Sequence, residues 1–228
     1  MATVLITGAN RGIGLELVKC YAGEGDKVFA CCRSPNDAGS LSEIAGDIEI
    51  VELQVTEQAS VEALAQSLSG EPIDILINNA GILGPDPEAQ TALTMDYEGF
   101  AETFEVNSIA PVRVMQALVS NLKAAAAPKV VNITSQMGAI SLDTTMAYAY
   151  CASKAALNKF MRLAAIDLRT EGIDVCVIHP GWVQTDMGGE NAAITPAESA
   201  AGIVQTIGKL NPDTSGSFWK WDGEVHDW

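Results

Sequence analysis

Basic residues are scarce in this chain. Lys and Arg number 13 against 29 Asp and Glu, a formal charge of −16 over 228 residues. Proteins that grip a phosphate backbone present a basic surface, so no nucleic-acid partner is expected, and no adhesion to an anionic membrane. Histidine is almost absent: His179 and His226 are the only two. The five cysteines, Cys20, Cys31, Cys32, Cys151 and Cys176, are odd in number and form no CxxC pair. No metal site is expected from that set, and the thiols read as buried and reduced in a cytoplasmic protein. No apolar run approaches the ~20 residues that span a bilayer. Residues 1–6 are apolar but uncharged and run straight into Gly8, without the basic region and cleavage site of a signal peptide.

What the chain does have is apolar content, 48% against 18% charged, enough for a full core without disulfides or metal. Short β-branched runs at residues 3–6, 27–31, 48–53, 74–77, 129–133 and 173–178 alternate with helical stretches at 12–23, 58–68, 97–125, 151–169 and 197–210. The runs are nearly continuous in Val, Ile and Leu, as strands covered on both faces should be. Leu157, Phe160, Ala164 and Leu168 recur at helical spacing. The alternation predicts an α/β fold: one doubly wound parallel sheet, a Rossmann fold with helices on both faces, in a single dinucleotide-binding and catalytic domain over 1–228. Residues 83–95 and 181–195 are loop-rich. The second contains Gly188-Gly189 and suits either a mobile cover over a site or an ordinary surface connection. The aromatic tail from Ser215 suits an edge strand or a subunit contact.

The first strand runs into Thr7-Gly8-Ala9-Asn10-Arg11-Gly12-Ile13-Gly14. Glycines there permit a tight turn and close approach of a phosphate, and the helix that follows offers unpaired N–H groups. An NAD site usually places an acid about 20 residues on. Here the second strand ends Cys31-Cys32-Arg33. Arg33 and Arg11 suit the 2′-phosphate of NADP, so NADPH is expected in preference to NADH; the alternative is two solvated arginines.

Polar residues follow three later strands: Asn78-Asn79-Ala80-Gly81, Thr134-Ser135 and His179-Pro180-Gly181. All fall on the carboxyl edge of a parallel sheet, where open α/β sheets bind ligands. Tyr150 and Lys154 stand four apart at the start of a helix and share a face. A phenol with pKa near 10 is a poor acid at neutral pH, and a neighbouring ammonium is expected to lower that value. Ser135 can donate to a carbonyl oxygen that becomes alkoxide-like as hydride arrives. Tyr148 is paired at the same spacing with Ala152 and lacks the ammonium.

This constellation resembles the short-chain dehydrogenase/reductase family over essentially the whole chain, and residues 179–189 with the ending Gly216-Ser217-Phe218…Trp221-Asp222-Gly223 resemble its C-factor and sniffer-type carbonyl reductase branch. The resemblance implies a catalytic set of Asn107, Ser135, Tyr150 and Lys154. Tyr150 would protonate the carbonyl oxygen, Lys154 would tune it and bind the nicotinamide ribose, Ser135 would orient the carbonyl, and Asn107 would hold a water in a proton relay. Gly8, Asn10, Arg11, Gly12, Ile13 and Gly14 would form the phosphate turn. Asn79, Ala80 and Gly81 would line the adenosine, and Pro180, Gly181, Val183 and Thr185 would cradle the nicotinamide and its phosphates. Gln54-Val55 stands where the family often has Asp-Val; a glutamine carbonyl can still accept from the adenine amine. Met137, Trp182 and Met187 would shape the substrate pocket beside Ser135 and Tyr150, with core packing as the alternative. His179 is not expected to act as a second acid.

The expected reaction is NADPH-dependent reduction of a small or medium aldehyde or ketone. The helices at 97–125 and 151–169 are similar to those that form contacts in the family's homodimers and homotetramers, though their alanine content equally suits a monomer core. Two rivals differ in kind: a dinucleotide-binding sensor or C-factor-like signalling protein with little turnover, and a sugar epimerase. A pure sensor need not keep the catalytic set, and an epimerase would need a larger C-terminal domain.

Overall fold

The computed structural model describes residues 1–228. The six apolar runs form β1 (Thr3–Thr7), β2 (Lys27–Cys32), β3 (Ile48–Glu52), β4 (Ile75–Asn78), β5 (Lys129–Ile133) and β6 (Asp174–His179). The aromatic tail adds β7 (Phe218–Lys220). All seven strands are parallel, in the order β3-β2-β1-β4-β5-β6-β7. The winding reverses between β1 and β4, and that crevice is the topological switch point of such a sheet.

Strict alternation along each strand divides the core in two. Val4 and Ile6 of β1 join Ile178 of β6 on one face, against Leu17 and Val18 of α1 (Gly12–Gly23) and Ile203 and Ile207 of α7 (Pro196–Lys209). Leu5, Leu76 and Val130 face the other way, against Val61 of α2 (Gln58–Ser67) and other helices of the second layer. A one-residue slip of any strand would exchange these sets.

Residues 97–125, expected as one long helix, are broken into α3 (Tyr97–Phe104), a π-turn (Glu105–Ile109), α4 (Ala110–Ala117) and α5 (Val119–Ala124). Pro111 is the physical reason for the π-turn. It has no N–H to offer the carbonyl of Asn107 four residues back, and its ring crowds that carbonyl. The helix widens just where Asn107 turns inward.

The catalytic-helix candidate, α6 (Tyr148–Asp167), begins three residues earlier than the expected 151 and is followed by a 3-10 turn over Leu168–Glu171. Of the apolar face expected here, Leu157 is buried and Ala164 and Leu168 half-buried, but Phe160 is 47% exposed; Asn158 and Met161 are buried as well. Asn158 is drawn inward because its side chain accepts from the Thr134 hydroxyl at 2.6 Å and donates to the Gly138 carbonyl at 3.2 Å. All five thiols are free; Cys31, Cys32 and Cys176 are buried, whereas Cys20 and Cys151 are only partly so. No helix is long and apolar enough to cross a membrane.

Candidate active site

The glycine turn closes on the end of β4. Thr7 Oγ1 accepts from the N–H groups of Asn79 and Ala80 at 3.0 and 3.1 Å, and Asn79 Nδ2 donates to the carbonyls of Thr7 and Gly8 at 3.0 Å. Gly8 and Gly12 have φ of +65° and +54°, a region open to glycine. A Cβ at Gly14 would lie 2.2 Å from the Gly8 carbonyl oxygen, so no side chain fits there. Arg11 stands at the cap position of α1 without capping it, and the first turn carries no acid. The N–H groups at that helix end are therefore not engaged by a side-chain cap. Asn10 is exposed and Ile13 half-buried beside them.

Arg11 and Arg33 have different settings. Arg33 lies exposed just beyond β2. Arg11 Nη1 forms an exposed ion pair at 2.9 Å with Asp186, across the cleft on the loop after β6. That loop is self-braced. Ile194 N–H donates to the Trp182 carbonyl at 3.2 Å, Gln184 N–H to the Ile194 carbonyl at 2.9 Å, and Trp182 Nε1 to the Gly188 carbonyl at 2.8 Å. Thr185 packs over Gly12, whose Cβ would sit 3.3 Å from Thr185 Cγ2. Pro180 is fixed by the Ser199 hydroxyl at 2.6 Å. Gly181, at φ +89°, lies under Trp221 of the tail and Ile194. Val183 is buried, whereas Trp182 and Met187 are largely exposed. Gln54 and Val55 follow β3; the Gln54 N–H donates to Ser60 Oγ at 2.9 Å, and the Val55 carbonyl accepts from Arg113 at 3.1 Å.

Ser135, Tyr150, Lys154 and Asn107 are brought together in one buried cluster. The 3-10 turn Gln136–Gly138 that follows β5 lies against α6, and a Cβ at Gly138 would meet the Lys154 backbone at 2.8 Å. Ser135 Oγ accepts from Met137 N–H at 3.1 Å, and its hydroxyl favours the phenolate of Tyr150. Met137 is half-buried beside it. Lys154 Nζ donates to the Ile133 carbonyl at 2.8 Å and lies 5.8 Å from the centre of the Tyr150 ring. Asn107 Oδ1 accepts from Ile82 N–H at 2.9 Å, while its Nδ2 donates to the Ile82 carbonyl at 2.9 Å and to Ser153 Oγ at 3.0 Å. Gly81 separates Asn107 from Lys154: a Cβ there would lie 3.2 Å from Asn107 Oδ1 and 3.5 Å from Lys154 Nζ.

The electrostatics correct one expectation. Tyr150 was to be made acidic by the Lys154 ammonium. Burial instead pushes its phenol up to about 12, and the Ser135 hydroxyl offsets only part of that. The cost of burial falls on the amine as well: Lys154 is lowered to about 8. Burial is the largest cause of both shifts because both groups lie out of water, and the amine's hydrogen bond goes to the Ile133 carbonyl. Tyr150 therefore holds its proton throughout the neutral range. His179, buried at the end of β6, is lowered to about 4 by burial and by His226, and is neutral.

Three contributors were not read from the sequence. Thr7 clips the turn to β4, Ser153 anchors Asn107, and Gln90 reaches α6 from the loop after β4. Only Thr7 carries a local signal, a hydroxyl at the strand end just before the glycine turn. A pocket of about 380 Å³ lined by Leu93, Tyr97, Phe100 and Tyr148, among others, contains none of the four clustered residues.

The family model for short chain dehydrogenase matches residues 2–194. The C-signal protein of Myxococcus xanthus is 41% identical over 170 residues, covering 74% of this chain and 100% of that protein. The NADPH-bound carbonyl reductase from chicken fatty liver superposes with a TM-score of 0.92 at 37% identity, covering 100% of this chain and 99% of the other. The carbonyl reductase Sniffer of D. melanogaster superposes with a TM-score of 0.93 at 31% identity, covering 100% of both chains.

Proposed function

The chain belongs to the short-chain dehydrogenase/reductase family of oxidoreductases, and on that premise we propose that it reduces a small or medium aldehyde or ketone to the alcohol with NADPH. The observation that carries this reading is the buried cluster of Ser135, Tyr150 and Lys154, on the same carboxyl sheet edge as a glycine turn that admits no side chain at Gly14.

The residues present fit a dinucleotide. The uncapped N-terminus of α1 suits a diphosphate. Arg33 suits a 2′-phosphate, and Arg11 does so when released from Asp186. The chicken protein, similar over the whole chain, is an NADPH-bound carbonyl reductase. Gly8, Asn10, Gly12, Ile13 and Gly14 would hold the diphosphate; Gln54, Val55, Asn79, Ala80 and Gly81 the adenosine side; Pro180, Gly181, Val183 and Thr185 the nicotinamide side. When bound, NADPH supplies a hydride to the carbonyl carbon.

The remaining steps belong to side chains. Ser135 donates to the substrate oxygen and holds it beside Tyr150. Tyr150 gives its phenolic proton to that oxygen as negative charge develops there. A phenol held near 12 is unsuited to serve as a base at neutral pH but carries the proton that reduction consumes. Lys154 binds the ribose hydroxyls and, when charged, stabilises the phenolate left behind. Asn107 and Lys154 flank Gly81, where a water passes a proton back toward Tyr150. Met137, Trp182 and Met187 would shape the substrate pocket.

The deciding experiment is a panel of aldehydes and ketones assayed with NADPH and NADH, following loss of reduced cofactor and formation of alcohol together. Equimolar change with NADPH is the expected result. A second reading draws on the C-signal relative: a dinucleotide-binding signalling protein with little turnover. Tight NADPH binding with no oxidation across the panel would favour it.

A further inference from the structure

The helix that carries Tyr150 has no cap of its own. Ala147 precedes it in a left-handed conformation, φ 49° and ψ 56°, and has no side-chain acceptor. It is the only residue other than glycine with positive φ in the chain. An alanine there is strained, and the first N–H groups of a helix need an acceptor from elsewhere. The need is acute at Ala149, the second residue of α6, which is completely buried. A normal cap side chain bonds the N–H at this position or the next.

The missing acceptor arrives from 59 residues away. Gln90 Oε1 accepts from Ala149 N–H at 2.8 Å. The Gln90 side chain is buried, 2% exposed, and its Nε2 donates to the Pro85 carbonyl. A backbone donor on one side and a carbonyl acceptor on the other fix which end of the amide faces α6. Gln90 is itself held in place by an antiparallel bridge to Met95. The Asp96 N–H bonds the Ala89 carbonyl at 2.8 Å, and the Asp96 side chain caps α3. One short hairpin thus joins the start of α6 to the start of α3, which leads into the π-turn carrying Asn107.

We infer that Gln90 is a positioning residue for Tyr150: it supplies from the loop after β4 the N-cap that α6 lacks, and so fixes the turn on which the phenol rides. The inference rests on Tyr150 acting as the proton donor. It also makes the loop-rich 83–95 segment a mechanical part of the acid's support. Misplacement of a reacting group by about 1 Å can cost on the order of 100-fold in rate.

Two variants and two readouts test it. Gln90→Met keeps length but removes both hydrogen bonds; Gln90→Glu keeps an acceptor for Ala149 N–H. Gln90→Met should lower kcat by roughly 10- to 100-fold while the Kd for NADPH stays within about twofold. In the same variant, amide exchange over residues 147–151 should speed at least about tenfold. Gln90→Glu, which keeps the acceptor for Ala149 N–H but as a carboxylate loses the donor to the Pro85 carbonyl, should restore part of kcat and of the protection, the more so at low pH where the acid is protonated. Unchanged exchange in a folded, NADPH-binding Gln90→Met protein would overturn the cap. Faster exchange with unchanged kcat would overturn the positioning role. If the wild-type protein turns over no carbonyl, the reductase reading fails and the positioning role with it, while exchange still judges the cap by itself.

Discussion

Consider Lys154→Met. The wild-type amine is buried, makes its hydrogen bond to the Ile133 carbonyl, and is lowered from its ordinary 10.5 to about 8. At about 1.4 kcal/mol for each tenfold change in proton affinity, burying the charged form costs the native state about 3 kcal/mol. Methionine fills a similar volume without charge. Losing the hydrogen bond to Ile133 returns about 1 kcal/mol of that. The variant should therefore be more stable at pH 7 by about 2 kcal/mol, or roughly 4–8 °C in a chain of this size. The sign of the pH dependence follows. Between about 8 and 10.5 the unfolded chain binds more protons than the native one, so wild-type stability rises with pH across that window. The variant's advantage should shrink over the same interval. Its turnover should be nearly abolished at every pH, because the ribose contact and the charge that stabilises the phenolate are gone. Thermal unfolding at pH 7 and pH 10, with NADPH oxidation measured alongside, reads both effects. A variant that is less stable at pH 7, or that keeps its activity, would refute the reasoning.

Two other outcomes follow from the cofactor side. Arg33→Asp should weaken NADPH binding far more than NADH binding in a fluorescence titration; equal losses would remove Arg33 from the 2′-phosphate. Gly14→Ala places a Cβ 2.2 Å from the Gly8 carbonyl oxygen and should destabilise the chain by more than about 1 kcal/mol, because neither backbone can move without opening the turn. A calorimetric Tm unchanged from wild type would show that the turn has slack.

The parallel sheet was readable because each strand is buried on both faces. Nothing polar interrupts Val4-Leu5-Ile6 or Val175-Cys176-Val177-Ile178, so six strands emerge within one residue of their expected ends. Ser135, Tyr150 and Lys154 were readable as candidates because they stand at a strand end or at helical spacing, whereas Asn107 came only with the family resemblance. What escaped depends on partners distant in sequence. Pro111 was visible, but that it would widen the helix into a π-turn at Asn107 rather than merely bend it was not. The Arg11–Asp186 pair joins residues 175 apart. Gln90 lies in a loop without periodicity, and its use is apparent only once Ala149 is found without a local cap. The pKa values escaped for a related reason: spacing on a helix places Tyr150 and Lys154 on one face but does not say how dry that face is, and dryness decides the sign of both shifts.

The central claim is that the Tyr150 phenol delivers the proton. Tyr150→Phe removes one oxygen atom and leaves the ring in place. The measurement is single-turnover oxidation of bound NADPH by a carbonyl that the wild-type protein reduces, with the Kd for NADPH determined on the same preparation. The account predicts a rate lower by at least about 100-fold with the Kd nearly unchanged. A rate close to wild type would contradict it.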